Sequence, residues 1–252
     1  MNICILVNTY VHSECRNPGD VTKNSFREHQ LKTGLNPFDL VIFDCDGVLV
    51  DSEPLAALAY HNVYAKEGMP IPEGTVAHGV GRKQADIILK IAELTGHRLP
   101  QAAEANIWPE TRLLFAESLQ PTAGIIDFLE RLEIPRCVAS SSSPERIEFS
   151  LDVTKLRGYF GDAIYSSSMV KRGKPAPDLF LHAAEAMGAD PRRCVVIEDS
   201  PYGVEGAVAA GMTAIGYTGG GHSYDGHAER LMGQGASAVY STWEDIAELV
   251  IG

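Results

Sequence analysis

The sequence predicts an α/β fold: a doubly wound parallel sheet with a small all-helical domain inserted after the first strand. Two patterns carry this. From Phe38 onward, short apolar runs of strand length alternate with longer amphipathic stretches, the mark of βαβ units. One interval, residues 54–120, breaks the alternation and holds helical periodicity only. Size is a third observation, since 252 residues with 45% hydrophobic content can bury a full core and carry a smaller accessory domain.

Residues 1–37 are mixed polar sequence with no sustained period and are expected to be a disordered leader, either without a structural role or docking through their short apolar start. Residues 38–53 and 121–252 form the expected core. Strands are predicted at Leu40–Phe43, Arg136–Ala139, Ala163–Tyr165, Cys194–Ile197, Thr213–Gly216 and Ala238–Tyr240. Between them, apolar spacing near 3.6 predicts helices at Ile125–Leu132, Asp178–Met187, Gly203–Ala210 and Trp243–Val250. Within the insert, helices are predicted at Leu55–Glu67, Gln84–Thr95 and Ala102–Ser118. An insert that follows the first strand leaves the sheet at its carboxyl edge, where open α/β folds bind ligands, so it is placed to act as a lid.

The formal charge of −12, from 33 acidic residues against 21 Lys and Arg, opposes binding to nucleic acid or to an anionic membrane. A small polar substrate fits better, and any anionic one must be held by a few local cations. The five cysteines are scattered, without C-x-x-C spacing, which predicts neither a disulfide framework nor a zinc site and suits a reducing cytoplasm. The first residues lack the basic start and long apolar run of a signal peptide. Nothing predicts a large interface, and a monomer is expected.

Four segments carry chemistry. In Val41-Ile42-Phe43-Asp44-Cys45-Asp46-Gly47, the alternation of a strand can turn Asp44 and Asp46 to the same side, with Gly47 permitting a sharp exit. Two close carboxylates need a cation or a shared proton, and a nucleophile beside a general acid uses both. Alone, the same pattern could simply cap a turn. In Val138-Ala139-Ser140-Ser141-Ser142-Ser143-Pro144, Ser140 and the N–H of Ser141 could hold a phosphoryl oxygen, or the serines could only cap a helix. In Gly173-Lys174-Pro175-Ala176-Pro177, prolines stiffen the backbone that mounts Lys174, an arrangement suited to phosphate. In Val195-Val196-Ile197-Glu198-Asp199-Ser200, a buried strand delivers two acids. Mg²⁺ could take Asp199 and Asp44 directly, with Glu198 acting through water or from behind.

In this order the segments FDCDGVLVDSE, VASSSS, RGKPAPD and VIEDSPYGV resemble the four motifs of the haloacid dehalogenase superfamily, across residues 40 to 216. The resemblance implies a Rossmann-like core with a helical cap, near the subfamily of β-phosphoglucomutase and sugar-phosphate phosphatases. It further implies that Asp44 attacks phosphorus and ligates Mg²⁺, while Asp46 is general acid/base and lends its backbone carbonyl to the metal. Ser140, Ser141 and Lys174 would bind the phosphoryl group, and Asp199 with Glu198 would complete the metal site. The expected activity is a Mg²⁺-dependent phosphomonoester hydrolase acting on a sugar phosphate or phosphorylated sugar acid.

The alternatives are a phosphomutase and, more remotely, a module that binds a phosphometabolite without turning it over. Mutases of the subfamily carry a His shortly after the first motif. Ala56 stands at that position here, with His61 further on, which favours hydrolysis. In Ala77-His78-Gly79-Val80-Gly81-Arg82-Lys83, Arg82 matches the cap residue that reaches the non-transferring end of the substrate, and His78 could face the cleft or pack. Gly219-Gly220-Gly221-His222 could touch substrate or only turn the chain.

Overall fold

The structure, a computed structural model, describes residues 36–79 and 81–251. The expected leader lies outside the described residues except for Asn36 and Pro37. Asn36 is tied to the core, its Nδ2 donating to the Val250 carbonyl at 2.7 Å.

Six strands, β1 (Leu40–Phe43), β2 (Arg136–Ser140), β3 (Ile164–Ser166), β4 (Cys194–Glu198), β5 (Thr213–Tyr217) and β6 (Ala238–Tyr240), pair in parallel in the order β3-β2-β1-β4-β5-β6. Strands β2, β4 and β5 run one residue past the apolar runs that predict them. Ladder pairing decides those ends: Ser140 pairs with Ser166 and Glu198 with Gly216. Strand β3 is shifted by one residue, from Ala163–Tyr165 to Ile164–Ser166, for the same reason.

Side chains of the central strands alternate between two buried faces. Val41, Phe43, Val138, Val195 and Ile197 pack with α5 (Ile125–Arg131), α6 (Pro144–Val153) and α10 (Trp243–Val250) through Phe128, Ile147, Trp243 and Ile246. Leu40, Ile42, Ala139 and Val196 pack with α7 (Asp178–Ala186), α8 (Pro201–Ala209) and α9 (His227–Gly233) through Phe180, Val204 and Leu231. The result is the predicted three-layer α/β sandwich. Helix α8 starts two residues before its predicted start because Ser200 caps it, its hydroxyl accepting from the Gly203 N–H at 3.0 Å.

Between β1 and β2 lie α1 (Glu53–Lys66), α2 (Gln84–Thr95), α3 (Gln101–Glu104) and α4 (Ile107–Ser118). The single helix predicted at Ala102–Ser118 is two, broken at Ala105 and Asn106. Pro109 explains the break: its ring excludes a carbonyl four residues earlier, yet it is tolerated in the first turn of a new helix. The insert has a core of its own around Tyr60, Tyr64, Ile88, Ile91 and Ile107. Its two connections to the sheet run side by side. Val50 and Pro121 form an antiparallel bridge, and the Asp51 N–H donates to the Gln120 carbonyl at 3.0 Å.

From β1 the chain proceeds to β2 on one side, whereas β4 proceeds to β5 on the other. The carboxyl ends of β1 and β4 therefore flank the crevice where the winding reverses, the place such sheets offer a ligand.

Candidate active site

Asp44 follows β1 directly, fixed by its backbone N–H on the Ile197 carbonyl of β4 at 3.0 Å. The chain then turns at Gly47, with φ +76°; a side chain there would be strained and would overlap the Asp199 carboxylate. The β4 end supplies Glu198 and Asp199, both buried. Lys174 reaches in from the loop before α7 and lies 2.6 Å from Asp44 Oδ1 and 2.5 Å from Glu198 Oε1, its side chain almost wholly enclosed. Glu198 Oε2 accepts from the Ser200 N–H and hydroxyl, each at 3.0 Å. A Cβ on Gly203 would overlap the Glu198 carboxylate, so the start of α8 can pass this close only as glycine.

Burial pushes the Asp44 carboxyl well up, further aided by the neighbouring Glu198, Asp199 and Asp46 and opposed by the Lys174 ammonium. Glu198 is raised for the same first reason, again against Lys174. Asp46 goes the other way. Burial works against its charge, but the Arg146 guanidinium and the Ser142 and Ser52 hydroxyls outweigh it and hold the carboxyl below its ordinary value. Asp46 Oδ1 accepts from Ser52 Oγ at 2.6 Å and Arg146 Nη2 at 2.7 Å, and Oδ2 accepts from Ser142 Oγ at 2.6 Å.

The site fits a hard divalent cation. Asp44, Glu198 and Asp199 each offer a carboxylate oxygen, all within 4.8 Å of one another. Asp199 Oδ2 is buried 2.9 Å from His222 Nε2, an ion pair when that imidazole is protonated, and has no hydrogen-bond partner among the described residues. His222 itself is pushed up to about 9, burial being outweighed by the Asp199 carboxylate beside it.

Ser140 is buried at the end of β2, its Oγ accepting from the Ser142 N–H at 3.1 Å. Ser141 reaches across to the insert and donates to the Gly81 carbonyl at 2.9 Å. Arg82 lies over the Tyr202 ring at 4.2 Å and lines a well together with Asp44, Asp46, Ser140 and Ser141. The structure thus brings Asp44, Asp46, Ser140, Ser141, Lys174, Glu198, Asp199 and Arg82 to one place. Ala56 stands in the wall of that well, whereas His61 does not line it and His78 is exposed.

Two residues escape the sequence reading. Arg146, on the first turn of α6, ion-pairs with Asp46 across 100 residues of sequence. The available signal was a cation near a helix N-terminus, against the dipole, which needs another reason to be there. Glu53, at the start of α1, lines the well, and burial with the charges of Asp46 and Asp199 raises it to about 7.

An acid pair at the switch point, a buried lysine on the first acid and three clustered carboxylates make up a polar site where the sheet meets the helical insert. The sequence model of haloacid dehalogenase-like hydrolases matches residues 38–211, and the chain belongs to that family. It is 30% identical over 180 residues to the 6-phosphogluconate phosphatase of Escherichia coli, covering 71% of this chain and 81% of that protein. It is 33% identical over 183 residues to a phosphorylated carbohydrates phosphatase of Thermotoga maritima, covering 70% and 83%. Among solved structures, a haloacid dehalogenase-like protein of unknown function from Agrobacterium tumefaciens superposes with a TM-score of 0.75 at 38% identity, over 85% of this chain and 98% of that one.

Proposed function

We propose that the protein hydrolyses small phosphomonoesters, sugar phosphates or phosphorylated sugar acids, through a phosphoaspartate on Asp44. The observation that carries this is the pairing of Asp44 with Lys174 at 2.6 Å, beside an Asp46 held by separate donors. The two acids are thereby set apart in environment, as a nucleophile and a general acid/base need to be. The relatives named as phosphatases of sugar acids and carbohydrates support the substrate class.

Lys174 aims one oxygen of Asp44 and opposes the burial that favours its protonated form. That oxygen attacks phosphorus and the ester P–O bond breaks. The leaving alkoxide takes its proton from Asp46, which the incoming negative charge of the ester favours in the protonated form. Asp46 is then a carboxylate and takes a proton from water as the water oxygen attacks phosphorus, breaking the bond to Asp44 and releasing phosphate. Ser140 and Ser141 hold a phosphoryl oxygen. Mg²⁺, held by Asp44, Asp199 and the Asp46 carbonyl with Glu198 behind, would supply positive charge against the phosphoryl oxygens. The helical insert acts as the lid, limiting water to the second step.

Ala56 in the wall of the well weighs against the mutase alternative, since the histidine that the subfamily's mutases carry is missing there. We take the enzyme to be a cytoplasmic monomer acting on a freely diffusing substrate. No helix among the described residues is long and apolar enough to cross a membrane.

The test is phosphate release from a panel of sugar phosphates, with and without Mg²⁺, for wild type and Asp44→Asn. Metal-dependent turnover lost in the variant is expected; turnover that survives Asp44→Asn would remove the nucleophile from the scheme.

A further inference from the structure

Above the catalytic well opens a second cavity of about 300 Å³, and Tyr60, Arg82, Ile87, Ser141, Ser142 and Arg146 line both. A phosphomonoester with its phosphoryl group on Asp44 would extend its leaving group through this shared wall. The outer cavity is lined by three cationic side chains, Arg82, Lys83 and Arg146, and by no carboxylate. In a chain of formal charge −12, that is a local reversal of sign.

The serines of the lining do not account for the cations. Ser141, Ser142, Ser166, Ser167 and Ser168 already donate their hydroxyl protons within the protein, to the Gly81 carbonyl, Asp46, the Ser142 carbonyl, the Ser141 carbonyl and Ser166 respectively. Their oxygens retain lone pairs and can accept from sugar hydroxyls, but these five have no donor left for an anion; Ser143, which accepts from the Arg146 N–H, is the one lining serine among the described residues whose hydroxyl proton is uncommitted. Donors remain on the cations. Lys83 has a single long contact, 3.3 Å to the Ser167 carbonyl, and among the described residues neither Lys83 nor Arg82 is ion-paired. Arg146 gives one nitrogen to Asp46, while its Nε is buried with no partner among the described residues. A neutral polyol could accept from those donors through its hydroxyl oxygens but would leave the charges of Arg82 and Lys83 uncompensated.

We infer that the outer cavity selects phosphomonoesters whose leaving group carries a second anionic group, with Lys83 and Arg146 as specificity residues beside Arg82. This rests on the hydrolase reading above. It narrows that reading from sugar phosphates in general to those bearing a carboxylate or a second phosphate.

A matched set of substrates tests it. Gluconate 6-phosphate and sorbitol 6-phosphate share an open polyol chain and differ at carbon 1, carboxylate against alcohol; fructose 1,6-bisphosphate supplies the second-phosphate arm, and p-nitrophenyl phosphate reports the chemistry alone. Wild type should favour at least one of the two substrates that carry a second anionic group over sorbitol 6-phosphate by about tenfold or more in kcat/KM, the scale of one charged hydrogen bond. Which one wins separates carboxylate from phosphate. Lys83→Met should lose about tenfold more on the favoured substrate than on sorbitol 6-phosphate, through KM, and Lys83→Arg should restore the preference. Arg146→Gln should narrow the same ratio. Equal kcat/KM across the set, or equal losses in Lys83→Met, would overturn this inference and leave the hydrolase reading standing. No phosphate release from any of the four would overturn both.

Discussion

Replacing Arg146 by Gln removes the cation from a largely enclosed pair, with side chains 19% and 11% exposed and a contact of 2.7 Å. Removing one member of such a pair strands the other, at a cost of about 3 kcal/mol, because Asp46 keeps two serine donors but loses its one salt-bridge partner among the described residues. For a chain of this length that is a fall of roughly 6–12 °C in Tm. The sign of the pH dependence follows from Asp46 being held below its ordinary value. Its contribution is present above the unfolded pKa and is lost as pH falls through the folded one. In the variant, burial is no longer countered by the guanidinium, so the Asp46 pKa rises. The stability gap between wild type and Arg146→Gln should therefore be widest near neutral pH. It should narrow by about 1.4 kcal/mol per pH unit once pH falls below the raised value. Urea unfolding of both proteins at a series of pH values from 7.5 downward reads this directly. A gap that stays constant as the solution is acidified would refute the claim that Arg146 acts through the charge of Asp46.

Gly203→Ala should fold but lose most activity and about 2 kcal/mol of stability, measured by phosphate release and thermal melting, because the added methyl overlaps the Glu198 carboxylate that Lys174 leans on. Millimolar Mg²⁺ should raise Tm in the wild type by mass action on the folded state, and Asp199→Asn should abolish the shift. Glu53, raised to about 7, is a group whose stabilising contribution is present below its unfolded pKa and is lost as pH rises through the folded value. Glu53→Gln should accordingly be the more stable protein relative to wild type at pH 8 than at pH 5, and equal differences at both would remove Glu53 from the pH response.

Much of the site was legible because three of its parts sit at the ends of buried strands, where an apolar run stops abruptly on polar residues. Asp44, Ser140, Glu198 and Asp199 are all of this kind. What could not be read is whatever depends on two segments meeting. Arg146 finds Asp46, and Arg82 finds Tyr202 across the junction of insert and core; no local period announces either. The run of serines was ambiguous in sequence, and the structure shows why. Ser143 caps α6, accepting from the Arg146 N–H, so the capping reading applies to one member of the run, while Ser142 donates to Asp46, a role neither reading foresaw. The break between α3 and α4 was written in Pro109 but was outweighed by the apolar spacing around it.

The bridge between Val50 and Pro121 gives the insert a single doorway. Because the chain leaves and re-enters the sheet at neighbouring positions, whatever lies between them can be lengthened, shortened or exchanged without pulling any core strand out of register. The acids proposed to carry the chemistry lie on the sheet side of that doorway, whereas Arg82 and Lys83 lie beyond it. Evolution, or a protein engineer, can therefore graft a different set of helices at this junction and redirect the enzyme to another metabolite while the catalytic floor is inherited intact.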